Sequence, residues 1–274
     1  MTTEPEANAA ECRRWNDPYW TSAWLRRERV TDVVTELVLE QLALEEGERV
    51  LEVGSGGGRL SMAAAGLVAP GGAVVGVDIS KRLVEVARAR ADDAQLGNVT
   101  FVVADAQTDP IAGAPFDAAA SQFGVMFFDE PVAAFANVAQ HLEIGGRIVF
   151  ACWQRMEHNP WCVGPVLAPY LPPGPKPAPG KSPTGPFSLF DPPQVIELLS
   201  SAGWGDVERT AYEMTEVVGR DAIFDDGQLG FAGVADADMA DALGAVDRHL
   251  ARFGPPDGDL AIPIAFQIFT ARRR

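Results

Sequence analysis

The sequence predicts an α/β fold with a doubly wound, mostly parallel sheet. Strand-like apolar runs alternate with helical segments between residues 49 and 153, and short connections join them. Runs such as Ile148-Val149-Phe150 are apolar at every position, which is typical of strands covered on both faces. Because right-handed crossovers place helices on both sides of a parallel sheet, the alternation indicates helices packed on both faces.

The first five strands and their connections follow from local signals. Ser80 is a favourable cap for a helix that Gly97 ends, and Pro131 fits the first turn of the next helix. A turn at Gly145-Gly146 leads into the fifth strand. The predicted strands cover residues 49–53, 73–77, 99–103, 116–120 and 147–153, and the predicted helices cover residues 60–67, 80–97 and 131–142.

Two further regions flank this core. Residues 21–44 place apolar side chains at helical spacing, so we predict an amphipathic helix within an N-terminal helical cap over residues 1–45. Residues 165–193 contain eleven prolines, which is typical of a lid or binding loop. Beyond them, helices are predicted over residues 191–203 and 236–252 and strands over residues 207–218 and 261–270. Pro263 suggests either that the final strand is an edge strand or that the strand begins near this residue.

Composition excludes several function classes. A formal net charge of −16 repels phosphate backbones and anionic head groups, so we expect neither nucleic-acid nor membrane binding. Arg26, Arg27 and Arg29 lie beside Glu28 on a predicted helix, and we expect them to be solvated. The first ten residues resemble no signal peptide and no stretch is long enough to span a membrane, so a soluble, cytoplasmic protein is expected.

The three cysteines give no sign of a disulfide framework or a metal site. Their odd number favours a reducing compartment. Cys152, His158 and Cys162 lack the paired spacing of a structural zinc site. We therefore expect no bound metal.

A glycine-rich turn after the first strand carries the main functional signal. Residues 50–58 read VLEVGSGGG, so an apolar strand ends at Gly54 in a loop whose backbone can approach a ligand closely. The loop by itself fits a dinucleotide or an adenosyl ligand. A dinucleotide fingerprint needs a third glycine at position 59, where Arg59 stands, and no phosphate-binding lysine follows.

The run from Glu52 to Gly58 resembles the first motif of class I S-adenosylmethionine-dependent methyltransferases. Asp78 and Asp105, at the ends of the second and third strands, match that family's later acidic motifs over residues 30–153. The resemblance is greatest to small-molecule enzymes of the ubiquinone and menaquinone biosynthesis type. Glu52 stands where aspartate is more common, and Ser55 where cysteine or threonine is often found.

The resemblance implies S-adenosylmethionine as the cofactor and a Rossmann-like fold with an antiparallel last strand. In that family the acid matched by Asp78 binds the ribose hydroxyls, the acid matched by Asp105 reaches the adenine amino group, and Phe123 would lie near the methionine portion. The cofactor-binding residues that it implies are Glu52, Gly54, Ser55, Gly56, Asp78, Ile79, Asp105, Ala106 and Phe123. Residues 46–274 then form a seven-stranded methyltransferase domain, with a cofactor half to residue 153 and substrate-side insertions after it. Taken singly, Glu52 and Asp78 also fit roles in capping helices.

Methyl transfer from a sulfonium is an in-line displacement that depends mainly on alignment and exclusion of water. His158, after the fifth strand, is the candidate general base, and the alternative is an ordinary loop histidine. Aromatic side chains suggest an apolar substrate pocket, although they could equally pack the cap on the core. The candidate pocket residues are Tyr19, Trp20, Phe127, Trp153 and Trp161. Low charge between residues 161 and 190, apart from Lys176 and Lys181, favours an apolar acceptor.

These observations predict metal-independent methyl transfer to a small, apolar or aromatic metabolite at oxygen or carbon. No Asp-Asp-Asn group follows the fourth strand, where catechol-type enzymes hold magnesium. One alternative keeps the bound cofactor but catalyses cyclisation or rearrangement, and another is a nicotinamide oxidoreductase. The acceptor and the oligomeric state stay open, and a homodimer is among the states allowed.

Overall fold

The computed structural model describes residues 8–172 and 184–274, and these residues form one seven-stranded sheet. The strand order is β3-β2-β1-β4-β5-β7-β6. The strands are β1 (Arg49–Val53), β2 (Ala73–Asp78), β3 (Val99–Val103), β4 (Phe116–Gln122), β5 (Leu142–Trp153), β6 (Trp204–Gly219) and β7 (Asp259–Arg273). The principal helices are α1 (Ala9–Trp15), α2 (Pro18–Arg27), α3 (Asp32–Leu42), α4 (Arg59–Leu67), α5 (Lys81–Asp93), α6 (Pro131–Gln140), α7 (Gly164–Leu167), α8 (Pro192–Ser201), α9 (Arg220–Ile223), α10 (Gly227–Ala232) and α11 (Met239–Leu250).

The sheet confirms the predicted fold class. Strands β1 to β5 pair in parallel, with β1 between β2 and β4. Strand β7 runs antiparallel to both β5 and β6 and lies between them. The prediction of an edge position from Pro263 is therefore wrong, but β5 pairs only with residues 266–272 of β7. Pro263, which pairs with Thr215 of β6, lies where β5 no longer borders the strand, so its missing N–H breaks no bond to β5.

The predicted N-terminal helix over residues 21–44 is two helices. A 3₁₀ turn at Glu28–Thr31 separates α2 from α3. Glu28 is buried and pairs with Arg90 of α5 at 2.6 Å, which fixes the turn against the core. The break lets α3 pack on the sheet through Val34, Val38 and Leu42, while α2 lies over the glycine loop. Helix α3 thus shares one apolar core with β1 and β4.

Several boundaries also differ from the predictions. Strand β5 begins at Leu142 rather than at Arg147, because the pairing with β4 shifts register after Phe116 and resumes beyond the Gly145-Gly146 turn. Strands β6 and β7 are each longer than predicted, because they pair with each other along almost their full length. The proline-rich region begins with α7 and a 3₁₀ turn, Ala168–Tyr170. Residues 173–183, with Lys176 and Lys181, lie outside the described residues.

No helix within the described ranges combines the length and apolar character needed to cross a membrane.

Candidate functional site

The turn between β1 and α4 depends on glycines with a positive φ, and Gly54 and Gly56 show why. Gly54 has a φ of +73°, and a Cβ there would lie 2.8 Å from the Cα of Gly124 after β4. Gly56 has a φ of +52°, and a Cβ there would lie 2.8 Å from Nε1 of Trp24. Both angles are unfavourable for residues that carry a Cβ. The loop therefore brings the end of β1 against β4 and under helix α2.

Asp78 closes β2 and holds the glycine loop. Its Oδ2 accepts a 2.8 Å hydrogen bond from the N–H of Gly56, and its Oδ1 accepts one of 2.8 Å from the N–H of Ser80. The carboxyl group is buried, which raises its pKa, and the two N–H donors act in the opposite direction. The Ser80 hydroxyl, which accepts from the N–H of Leu83, caps α5. Asp78 is thus fixed in place, and each oxygen keeps a lone pair for a further donor.

Glu52 lies beneath the same loop. It is buried, and its Oε2 accepts a hydrogen bond from the hydroxyl of Ser61 in α4. Burial, against the lowering effect of the hydrogen bonds with Ser61 and with a smaller raising effect of the nearby Asp78, brings the pKa of Glu52 to about 8. The neighbouring Ser55 hydroxyl is buried without a hydrogen-bond partner. Together these groups give this end of the site an unpartnered hydroxyl and a carboxyl group whose negative charge a cationic ligand would stabilise.

Asp105 follows β3 and is joined to the N-terminal segment. Its Oδ1 accepts hydrogen bonds of 2.9 Å from Asn8 Nδ2 and of 2.9 Å from the N–H of Gln107. Asn8 also exchanges two bonds with Asp129: its N–H donates to the carboxylate at 3.1 Å, and its side-chain oxygen accepts from the N–H of Asp129 at 2.9 Å. Burial raises the pKa of Asp105. The start of α1 therefore closes one side of the site.

These groups line two adjoining pockets at the carboxyl ends of β1 to β4, which together we call the strand-end cleft and singly its branches. Gly54, Gly56 and Gln122 border both branches. Glu52 and Ser55 lie in one branch, and Asp78 and Asp105 lie in the other. The structure thus brings together all nine residues proposed from the sequence, Glu52, Gly54, Ser55, Gly56, Asp78, Ile79, Asp105, Ala106 and Phe123. Open parallel sheets bind ligands at this edge.

A second cavity, which we call the aromatic chamber, adjoins the cleft. It has a volume of about 290 Å³. Five residues line both cavities: Trp15, Trp24, Thr31, Phe123 and Phe127. Phe123 has a φ of +60° and stacks on Trp153 with ring centroids 4.2 Å apart, so its ring forms part of the boundary. The candidate pocket residues Trp20, Phe127, Trp153 and Trp161 all line the chamber.

Two sequence candidates lie outside both cavities. Tyr19 donates its hydroxyl to Asp225 at 3.1 Å and stacks on Phe231, one layer behind the chamber wall. His158 lies in a 3₁₀ turn packed at the end of β7, with its ring about half exposed and Nδ1 3.5 Å from Glu213. The prediction that His158 acts as general base is therefore not supported by its position, because the turn after β5 carries it towards β6.

The structure also adds residues that the sequence interpretation missed. Asn8 contacts Asp105 from a terminal segment with no recognisable motif. Gln122 ends β4 between the branches of the cleft and is held by Thr35 and the Thr31 carbonyl. Arg27 was expected to be solvated, but it is half-buried and lines the chamber. Helical spacing could have predicted this position, because Arg27 follows Trp20 by seven residues and Trp24 by three, which places all three on one face of α2.

Comparisons with known proteins agree with this geometry. Residues 50–146 match the family model described as a methyltransferase domain. Over 104 residues the chain is 38% identical to aklanonic acid methyltransferase DauC of Streptomyces sp. (strain C5), covering 38% of this chain and 47% of that protein. It is 35% identical over 202 residues to O-methyltransferase cnsE of Penicillium expansum, covering 72% and 65%. The match to ubiquinone/menaquinone biosynthesis C-methyltransferase UbiE of Pseudomonas putida is 34% over 112 residues, covering 40% and 44%.

The chain thus spans between 44% and 65% of the length of these curated relatives. Among solved structures, YcgJ from Bacillus subtilis aligns with a TM-score of 0.60 over 88% of this chain and 97% of its own, at 16% identity, which supports the fold alone. The family match and the relatives agree with the resemblance seen in the sequence: residues 50–146 form a methyltransferase domain, and the chain is similar to small-molecule O- and C-methyltransferases.

Proposed function

We propose that the chain transfers a methyl group from S-adenosylmethionine to a small, largely apolar or aromatic molecule, at oxygen or carbon. One observation carries the proposal: the strand-end cleft and the aromatic chamber share the walls formed by Trp24, Phe123 and Phe127. A cofactor in the cleft would then face an acceptor in the chamber. The relatives named for O- and C-methyl transfer support the same chemistry.

The cleft has the groups that such a cofactor requires. Asp78 keeps lone pairs for two ribose hydroxyls, and Asp105 is an acceptor for an adenine amino group. Ser55 has a buried hydroxyl without a partner, and the positive charge of the cofactor would favour the ionised form of Glu52. When bound, the cofactor supplies an electrophilic methyl group on a positively charged sulfur.

The residues of the chain would act mainly by alignment. The rings of Trp24, Phe123 and Phe127 exclude water from the junction and present π faces that attract a cation. Holding two reactants in line is itself a large catalytic effect, so no catalytic side chain is required. We propose that the transfer needs no metal, because groups of His, Cys, Asp and Glu suited to a metal ion are absent from residues 8–172 and 184–274.

We further propose a cytoplasmic enzyme whose partner is a small-molecule acceptor, without nucleic acid or membrane and with a homodimer as an allowed state. The three cysteines are free thiols, which suits a reducing compartment. The net charge of −16 disfavours anionic polymers and surfaces.

The test is a transfer assay with cofactor labelled in its methyl group and a panel of aromatic acceptors. A product heavier by one methyl group, with an equal amount of S-adenosylhomocysteine, supports the proposal. Acceptor conversion without methyl incorporation would instead favour cyclisation or rearrangement on the same fold. Calorimetry with NAD and with S-adenosylmethionine completes the test, because binding of NAD alone would indicate an oxidoreductase.

A further inference from the structure

The aromatic chamber carries positive charge in a strongly acidic chain. Its lining, among the described residues, includes Arg14 and Arg27 but no aspartate, glutamate or histidine. Arg14 is neutralised by Glu11, whose carboxylate lies 3.1 Å away. None of the ion pairs between described residues includes Arg27. Among the residues that the structure describes, the chamber therefore holds one cation without a paired anion.

The surroundings of Arg27 leave part of its guanidinium unused. Its Nη2 donates to Gln228 Oε1 at 2.9 Å and weakly to the Ile223 carbonyl at 3.4 Å, whereas its Nε is buried without a partner. The nearby carboxylate of Asp225 is engaged by Arg26 at 2.5 Å and by the hydroxyl of Tyr19. Burial lowers the pKa of Arg27, but a guanidinium remains charged at neutral pH.

Two more unpartnered donors belong to the same wall. The indole Nε1 atoms of Trp20 and Trp161 are buried without hydrogen-bond partners, and both side chains line the chamber. Buried donors in folded proteins nearly always have partners, so three exceptions around one cavity call for an explanation. Rotation of these side chains on binding would turn the donors towards the acidic oxygens of an occupant.

The chamber also lacks a side chain suited to act as a general base. Because no carboxylate or imidazole lines it in the described part of the chain, an acceptor that must lose a proton has no evident group to take it. An oxygen that is already ionised needs none. Such an oxygen bonds to the methyl carbon while the methyl–sulfur bond breaks and its electron pair leaves with the sulfur, so no proton moves.

We propose that the chamber takes an aromatic acceptor that bears one ionised carboxyl group, and that Arg27 recognises this group. The inference rests on the proposed function and specifies its acceptor. A single charge is preferred because, in the described part of the chain, only one cation of the chamber is unpaired, and a second buried negative charge would have no partner there. The aromatic rings provide contact surface for the remainder of the molecule.

Calorimetric titration of the full chain, saturated with S-adenosylhomocysteine, tests this with three probes. The probes are naphthalene-2-carboxylate, its neutral carboxamide and naphthyl phosphate. We expect the carboxylate to bind about 10- to 100-fold more tightly than the carboxamide, because a charge-assisted bond is lost with the charge. Equal affinities for these two probes, or tighter binding of the phosphate, would overturn the proposal.

Arg27→Gln should abolish the preference for the carboxylate while leaving carboxamide affinity within about twofold. Arg13→Gln is the matched control, since it removes the same charge from an exposed position of α1 that lines neither the cleft nor the chamber. An Arg27→Gln variant that keeps the preference would contradict the assignment. Should Arg27→Gln fail to fold, Arg27→Lys, which keeps the charge, should retain part of the preference, and its complete loss there would refute recognition by charge.

The same titrations separate the two proposals. Absence of S-adenosylhomocysteine binding would contradict the proposed function itself. Normal binding of S-adenosylhomocysteine, combined with equal affinity for the carboxylate and the carboxamide, would leave the methyltransferase proposal intact and remove only the anionic acceptor.

Discussion

The strand-end cleft and the aromatic chamber are adjacent cavities built on opposite principles. In the cleft, acidic groups are held by donors of the chain: Asp78 by two backbone N–H groups and Glu52 by Ser61. In the chamber, three buried donors of the described residues lack partners, one of them on the cation Arg27, whereas in the cleft only the Ser55 hydroxyl does. The difference indicates that the cleft is organised before its ligand arrives, whereas the chamber depends on its occupant to satisfy buried groups.

The two cavities also differ in how the chain builds them. The cleft comes from the ends of consecutive parallel strands, so neighbouring motifs meet at one edge of the sheet. The chamber draws on α2, the segment after β4, the turn after β5 and helix α9. A substitution in the cleft should therefore affect folding or cofactor binding, whereas one in the chamber should affect acceptor choice.

The largest expected effect concerns the buried acid of the cleft. The pKa of Glu52 is raised to about 8 in the folded chain, above its ordinary value of 4.5, so folding holds the proton more tightly. The stability that Glu52 contributes by holding its proton in the folded chain is complete below pH 4.5 and is lost as the pH rises through about 8. Glu52→Gln should gain stability over the wild type by up to roughly 1.4 kcal/mol for each pH unit in that window.

Urea denaturation of Glu52→Gln and the wild type between pH 5 and 9 measures this difference. Parallel stability curves over that range would mean that Glu52 is ionised in the folded chain, and the idea of an acid held protonated in the cleft would be wrong.

The next effect concerns the glycine turn. Gly54→Ala should lower the free energy of unfolding by about 3 kcal/mol, because the left-handed φ costs a Cβ-bearing residue roughly 1–2 kcal/mol and the clash with Gly124 adds to it. Gly66→Ala in α4 is the control, with open space at its Cβ and an expected gain of about 0.5–1 kcal/mol. Equal unfolding energies for the two variants would show that the contact between β1 and β4 can relax.

A smaller effect is expected on cofactor affinity. Asp78→Ala should weaken S-adenosylmethionine binding by about 1.5–3 kcal/mol, because a charge-assisted hydrogen bond to the ligand is lost. Calorimetry measures it, with Asp92→Ala on the exposed surface of α5 as the control. Unchanged affinity in a folded Asp78→Ala variant would remove this residue from the cofactor site.

The smallest effect is expected outside both cavities. His158→Ala should leave turnover within about twofold, because the half-exposed ring faces Glu213 and lines neither the cleft nor the chamber. Steady-state kinetics with a methylated acceptor provide the measurement. A loss of tenfold or more in turnover, with cofactor affinity intact, would restore His158 as the general base.

Prediction from sequence succeeded where local pattern and topology coincide. The apolar strands, the glycine turn and the acids Asp78 and Asp105 follow each other along the chain, and a parallel sheet places their ends together. It failed where a side chain's environment comes from distant segments. Arg27 was expected in solvent, and the 3₁₀ turn that breaks the N-terminal helix depends on the pairing of Glu28 with Arg90, 62 residues further along the chain.

The sequence by itself determined the α/β architecture and predicted residues that line the strand-end cleft, because a strand, a tight glycine turn and an acid at the next strand end are short-range features. Only the tertiary structure decided which side chains line the aromatic chamber. Whether a tryptophan N–H or a guanidinium has a partner depends on the packing of α2 against residues more than a hundred positions away. That packing places the cation Arg27 in the aromatic chamber, and the turn after β5 places His158 beside Glu213 of β6, outside the chamber.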